Sequence, residues 1–226
     1  FNWEKKSCRL EISVAGIYRL FLNGEELTKG FFAPYISNPD HVVYYDEYDL
    51  SKKLKKTGNV LCVMLGNGFN NVVVGGWQFE NAPFRSAPKF YLSLSDGEET
   101  VFATGGENDF LVTESAVTFD DIRGGERYDA RKECSGVFTD GNTDGFLTAK
   151  IARLQPKGEY RLRTADPVIS FEEIPPIEIF KSGDYHIFDF GQNNAGVCRL
   201  KIDGEEGQRV DLWHVEALAD GLPEFN

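Results

Sequence analysis

Short alternating strands closed by tight turns constrain this chain more than any other feature. Cys8, Leu10, Ile12 and Val14 alternate with Arg9, Glu11 and Ser13. A period of two gives a strand one buried face and one wet face. After Gly16 an apolar run, Ile17 to Leu22, ends in Asn23-Gly24. Asn-Gly tolerates positive φ at both central turn positions, so a hairpin is expected there. Lys89 to Ser95 and Thr100 to Thr104 flank Asp96-Gly97 in the same way. Asp203-Gly204, between Gly196–Asp203 and Arg209–Leu218, reads as a third hairpin.

Other segments follow the same rule. Val42 to Leu50 reads as a strand, and so do Val60 to Leu65, Phe110 to Thr113, Ala116 to Phe119 and His186 to Phe190. Val60 to Leu65 is almost wholly apolar, which predicts a central strand buried on both faces or by a covering loop. Ser51 to Gly58 reads as one helical turn with Ser51 as N-cap and Gly58 as stop. Many short strands broken by Gly and Asn predict a sandwich or jelly roll. Residues 135–146 mix Ser, Gly, Asp, Asn and Thr, and Pro156, Pro167, Pro175 and Pro176 follow. This places a domain boundary after residue 146, with extended connecting chain beyond it. Residues 1–146 then form a first β-sandwich, and residues 147–226 the start of a second one that is cut short. The chain opens Phe1-Asn2-Trp3-Glu4, without Met, and stops just after a strand, so it reads as a piece of a longer protein.

Composition narrows the partners. The net charge of −12 repels phosphate backbones and anionic bilayers, so neither nucleic acid nor membrane is expected as a partner. Eighteen Phe and nine Tyr are enough to fill sizeable cores. The four cysteines, Cys8, Cys62, Cys134 and Cys198, form no Cys-x-x-Cys pair, and three of them sit in apolar strand patterns. Reduced core thiols are expected, which favours a cytoplasmic location over secretion.

Catalytic chemistry finds little support. His41, His186 and His214 sit in no nucleophilic triad context. Glycoside hydrolysis needs two carboxyl groups flanking one bond. Asp120, Asp121, Glu126 and Asp129 cluster in one segment, but Asp120 and Asp121 are adjacent and lie near a loop. For Glu126, Asp129 and Arg131 a structural role is expected, with Arg131 making a bidentate bond to a buried acid and pinning a strand at the domain boundary.

Five blocks carry a family resemblance. They are Gly16–Glu25 (GIYRLFLNGE), Tyr45–Leu50 (YDEYDL), Asn59–Phe69, Gly124–Arg131 (GGERYDAR) and Phe188–Gly196 (FDFGQNNAG). In this order the chain resembles the N-terminal, non-catalytic part of bacterial α-L-rhamnosidases, with Phe69 where the family has Trp. The resemblance implies β-sandwich domains ahead of an α/α barrel whose paired glutamates hydrolyse terminal α-L-rhamnosides with inversion. The barrel would follow Asn226, so no catalytic residue is expected in this chain. The expected fold is all-β: a jelly-roll-like, galactose-binding-like β-sandwich followed by an incomplete second sandwich.

Sugar binding is the functional expectation, since C–H faces of sugars stack on aromatic rings while hydroxyls seek amides and carboxylates. The loop from Asn67 to Phe79 is the most suitable stretch, with Asn67, Asn70, Asn71 and Trp77 as candidate contacts for rhamnose-containing glycans. Trp77 has an alternative place in the core of the sandwich. Some members of the resembled family bind rhamnose on this domain through calcium; calcium seeks hard oxygens, of which Asn67, Asn70 and Asn71 could offer some, Asn67 and Asn70 being the candidate metal ligands, while no cofactor is required. The competing expectation is a structural or protein-interaction module without ligand, packed on the barrel.

Overall fold

The computed structural model describes residues 1–74, 78–106, 109–134, 136–219 and 221–224. They form two compact units, Phe1–Ile169 and Ser170–Asn226. In the first unit the strands are β1 Arg9–Ala15, β2 Ile17–Leu22, β3 Glu25–Glu26, β4 Val42–Asp49, β5 Leu61–Gly66, β6 Lys89–Asp96 and β7 Glu99–Ala103. Four short strands follow: β8 Leu111–Val112, β9 Val117–Asp121, β10 Gly125–Tyr128 and β11 Leu147–Thr148. The last is β12, Glu159–Leu162.

Two sheets face each other. One has the order β12-β4-β1-β6-β7 and the other β3-β2-β5. The alternation read in β1 is the reason: Leu10, Ile12 and Val14 turn inward to meet Tyr18, Leu20 and Leu22 of β2, with Leu92 and Leu94 of β6. Leu10, Ile12, Leu20 and Leu92 are fully buried. Asn23 and Gly24 take φ of 52° and 88°, the backbone that the β2–β3 turn requires of them. Gly97, at φ 62°, turns β6 into β7.

Several local expectations are corrected. Strand β5 is half-buried throughout: Leu61, Val63 and Leu65 pack on the core, while Cys62 and Met64 look the other way. The segment after β4 is a turn, and Ser51 caps no helix. Its hydroxyl instead accepts the Cys8 N–H at 3.0 Å and donates to Asp49 at 2.6 Å. The first unit also runs past residue 146. Leu147–Thr148 pairs with β8, and β12 pairs in parallel with β4, Tyr160 opposite Val43. Residues 147–169, read from the sequence as the start of the second domain, therefore belong to the first.

The same segment closes a buried ion pair. Arg163 Nε donates to Asp46 Oδ1 at 2.5 Å, and Tyr18 Oη donates to Asp46 Oδ2 at 2.5 Å. Tyr48 Oη lies 2.8 Å from Tyr18 Oη, and the Arg163 guanidinium sits 4.8 Å from the centre of the Tyr35 ring. Burial, with Tyr48 and Asp46 beside it, pushes the Tyr18 hydroxyl far above its ordinary pKa.

In the second unit, β13 Glu178–Ser182 and β14 Tyr185–Asp189 form a hairpin, and β15 Leu218–Ala219 pairs with β16 Leu222–Pro223. Residues 196–203 and 209–217 form no strand, and Asp203-Gly204 joins no hairpin. Apolar alternation is present there, but a strand also needs a hydrogen-bonded neighbour. Cys198, expected in a core, is exposed along with Cys134; Cys8 is buried, and burial with Asp49 and Asp96 nearby pushes its thiol up to about 12.

Candidate functional site

The loop after β5 is held by two adjacent carboxylates at the end of β9. Asp120 Oδ1 accepts the backbone N–H of Asn67 at 2.7 Å. The Asn67 side-chain amide donates to Asp120 Oδ2 at 3.1 Å and to its backbone oxygen at 2.9 Å. Asp121, itself buried, accepts four backbone N–H groups: Val73 at 2.7 Å, Val74 at 3.1 Å, Arg123 at 2.9 Å and Gly124 at 2.7 Å. These bonds, Val73's foremost, hold the Asp121 carboxyl far below the ordinary carboxylate range. Gly68, at φ 51°, allows the chain to turn against β2; a Cβ there would lie 2.7 Å from Ile17 Cγ2.

This arrangement gives the candidate residues different tasks. Asn71 donates its side-chain amide to Asn67 Oδ1 at 2.7 Å, so the Asn67 side chain is occupied at both ends. Asn70 donates to the Ser86 hydroxyl at 3.1 Å and to its carbonyl at 3.2 Å. The side-chain amide hydrogens of Asn70 and Asn71 thus order the loop, and among the described residues no donor reaches either side-chain oxygen. Trp77 lies outside the described residues. Asp120 and Asp121 were legible only as adjacent acids in a loop. Their work as loop clamps depends on contacts about fifty positions away in sequence, which no local pattern reports.

Calcium takes six to eight hard oxygens, commonly including carboxylates. Among the described residues no group of three or more His, Cys, Asp or Glu side chains is placed to hold a metal ion. Asn67 Oδ1 and all four oxygens of Asp120 and Asp121 already accept hydrogen bonds. The donor set drawn on Asn67 and Asn70 therefore does not fit a preassembled calcium site.

The expected role of Arg131 is also corrected. Arg131 does bond Asp129 in a bidentate way, at 2.8 and 2.7 Å, but its side chain is 89% exposed. Asp129 caps the turn Ala130–Lys132, and Arg131 first of all draws its carboxyl down to about 2. Glu126 is exposed on β10. Asp129 and Arg131 form a surface turn, where an ion pair is worth little.

Asp121 gives the loop a pH signature. Its folded pKa lies below its ordinary 3.8, so its stabilisation is complete above that value and is lost as the pH falls through the folded pKa. Asp121→Asn is expected to flatten the acid limb of the melting-temperature profile below about pH 4 and to speed hydrogen exchange at Val73 and Val74. An unchanged limb and unchanged exchange would remove Asp121 from this role.

Beside the loop opens a groove whose lining includes Phe69, Asn70, Phe84, Phe90, Tyr91 and Tyr160. These features define the class: a β-sandwich module with an open groove, followed by a second β unit. Residues 4–172 match the family described as the α-L-rhamnosidase N-terminal domain, and residues 180–223 match the bacterial α-L-rhamnosidase concanavalin-like domain. The chain belongs to the α-L-rhamnosidase N-terminal domain family.

Relatives agree. An α-L-rhamnosidase of Formosa agariphila is 31% identical over 96% of this chain and 23% of its own length. One from Streptomyces avermitilis is 27% identical over 93% of this chain and 21% of its own. The chain spans about a fifth to a quarter of the curated relatives it matches. Among solved structures, the S. avermitilis α-L-rhamnosidase complexed with L-rhamnose superposes with a TM-score of 0.69 at 23% identity, over 80% of this chain and 18% of that one. The Aspergillus terreus α-L-rhamnosidase gives 0.71 at 22% identity, over 85% of this chain and 23% of that one. At these identities the likeness is one of fold.

Proposed function

We propose that this chain is the accessory N-terminal region of an α-L-rhamnosidase, and that its first unit binds a rhamnose-containing glycan. The parent would hydrolyse terminal α-L-rhamnosides with inversion, using carboxyl groups outside this chain. The reading rests above all on the match of nearly the whole chain to about a quarter of proteins named α-L-rhamnosidase. The geometry supports the division of labour. An inverting pair needs two carboxyl groups roughly 6.5–9.5 Å apart with room for water, whereas Asp120 and Asp121 are consumed by loop N–H groups. Sugar binding is supported by Asn70 and Phe69 in the lining of the groove. In the second unit Phe171, Ile177 and Val197 are 87%, 73% and 82% exposed, an apolar surface suited to packing on the catalytic barrel.

Calorimetric titration with L-rhamnose, in calcium and then in chelator, tests the binding. Saturable heat in both conditions is expected, abolished by Asn70→Ala. Heat that needs calcium would overturn the metal-free site, and no heat in either would remove sugar binding. For the parent, NMR of the first anomer released from an aryl α-L-rhamnoside should show β-L-rhamnose; the α-anomer would contradict inversion.

A further inference from the structure

The lining of the groove runs from Asn70 after β5 to Tyr91 of β6 and Tyr160 of β12. Asn70 marks one part of its lining and Tyr91 with Tyr160 another. The chain that links them is short: Ser86 holds Asn70, and Tyr91 follows five positions later on β6. Fully extended, five residues span at most about 17 Å, so the two parts lie within the reach of a chain of several sugars.

At the far part stands a built aromatic platform. Tyr160 of β12 stacks on Tyr45 of β4, with ring centres 4.4 Å apart and planes 12° apart. Tyr91 meets Tyr160 edge to face at 6.4 Å. Tyr91 and Tyr160 are nevertheless 43% and 44% exposed, so each presents ring surface to solvent. Ser13 and Ser93 are buried although they lie on the outward face of their strands. The platform is rigid: β12 is hydrogen-bonded to β4 and anchored one residue beyond its end by Arg163 on Asp46. Its edge is polar. Arg9 sits 3.8 Å from both Glu11 and Glu47, which face each other across β1 and β4. Rings for C–H faces, carboxylates for hydroxyl protons and a fixed scaffold are the chemistry of sugar recognition.

We infer that the groove takes an extended oligosaccharide, with Tyr91 and Tyr160 forming a second sugar subsite apart from the loop of Asn70. This inference rests on the reading that the first unit binds sugar. It adds a preference for chain length and names the residues that confer it.

The test is calorimetry with two probes, free L-rhamnose and a neutral tetrasaccharide ending in α-L-rhamnose. The tetrasaccharide is expected to bind about tenfold more tightly, as one stacked ring allows. Tyr91→Ala and Tyr160→Ala should each remove most of that advantage and leave L-rhamnose binding unchanged. Melting curves check the fold, and because Tyr91 is not part of the Tyr45–Tyr160 stack, Tyr91→Ala decides the matter if Tyr160→Ala fails to fold. Equal affinity for both probes, or equal loss of both in the tyrosine variants, overturns the second subsite while leaving the loop reading in place. Tetrasaccharide binding that survives Asn70→Ala but is lost in Tyr91→Ala supports the subsite and overturns the loop. No binding of either probe overturns both.

Discussion

Arg163→Ala is expected to lower the stability of the first unit by about 3–5 kcal/mol, because it strands a buried carboxylate. Only 11% of the Arg163 side chain and 5% of that of Asp46 are exposed. Asp46 would keep the Tyr18 hydroxyl but lose its only described counter-charge. In a unit of this size the loss corresponds to a fall in melting temperature of roughly 10 °C. The second substitution separates the pair from its packing. Replacing both partners, as Arg163→Met with Asp46→Leu, should recover much of the loss, since well-packed apolar residues often match a buried ion pair. A melting temperature within two degrees of the unaltered chain, from about the same scaling, would show that Asp46 is hydrated and the pair inconsequential. Because β12 carries Tyr160, the same variant is expected to loosen the tyrosine platform.

Ending the chain is the harsher perturbation. A chain of residues 1–169 is expected to melt cooperatively, and a chain of residues 1–146 is expected to lose more stability than Arg163→Ala or to fail to fold. The shorter chain lacks β11, β12 and Arg163, and leaves the edge of β4 unpaired. It also loses the bridge between Phe31 and Val168, where the Phe31 N–H donates to the Val168 carbonyl at 2.8 Å. Thermal unfolding followed by circular dichroism distinguishes the two chains directly. Equal melting temperatures would return the boundary to residue 146.

That boundary shows where local reading stops. The run of Ser, Gly, Asp, Asn and Thr at 135–146 does mark loop, and the prolines after it do mark extended chain. Neither signal carries information about where extended chain goes. The four residues Glu159 to Leu162 become a strand only because the edge of β4 is there to receive them. Parallel pairing joins positions more than a hundred apart, and its warrant is the hydrogen bonds made on arrival.

The candidate site divides in the same way. The loop of Asn67, Asn70 and Asn71 was legible as a loop because glycine and asparagine suit its backbone. Its amides were equally legible as sugar contacts, and only the fold shows that they first hold one another, Asp120 and Ser86. Tyr45, Tyr91 and Tyr160 carry no mark in the sequence that joins them; three strands must align before their rings meet.

By itself the sequence determined the all-β class, the inward face of β1, the turns at Asn23-Gly24 and Asp96-Gly97, and the family, because these follow from period, turn chemistry and ordered blocks of residues. The tertiary structure alone decided the extent of the first unit, the Asp46–Arg163 pair, the carboxylate clamp on the loop and the tyrosine platform. Each of those depends on partners distant in the chain, and only the packing of the sheets brings them within the few ångströms at which hydrogen bonds and ring contacts act.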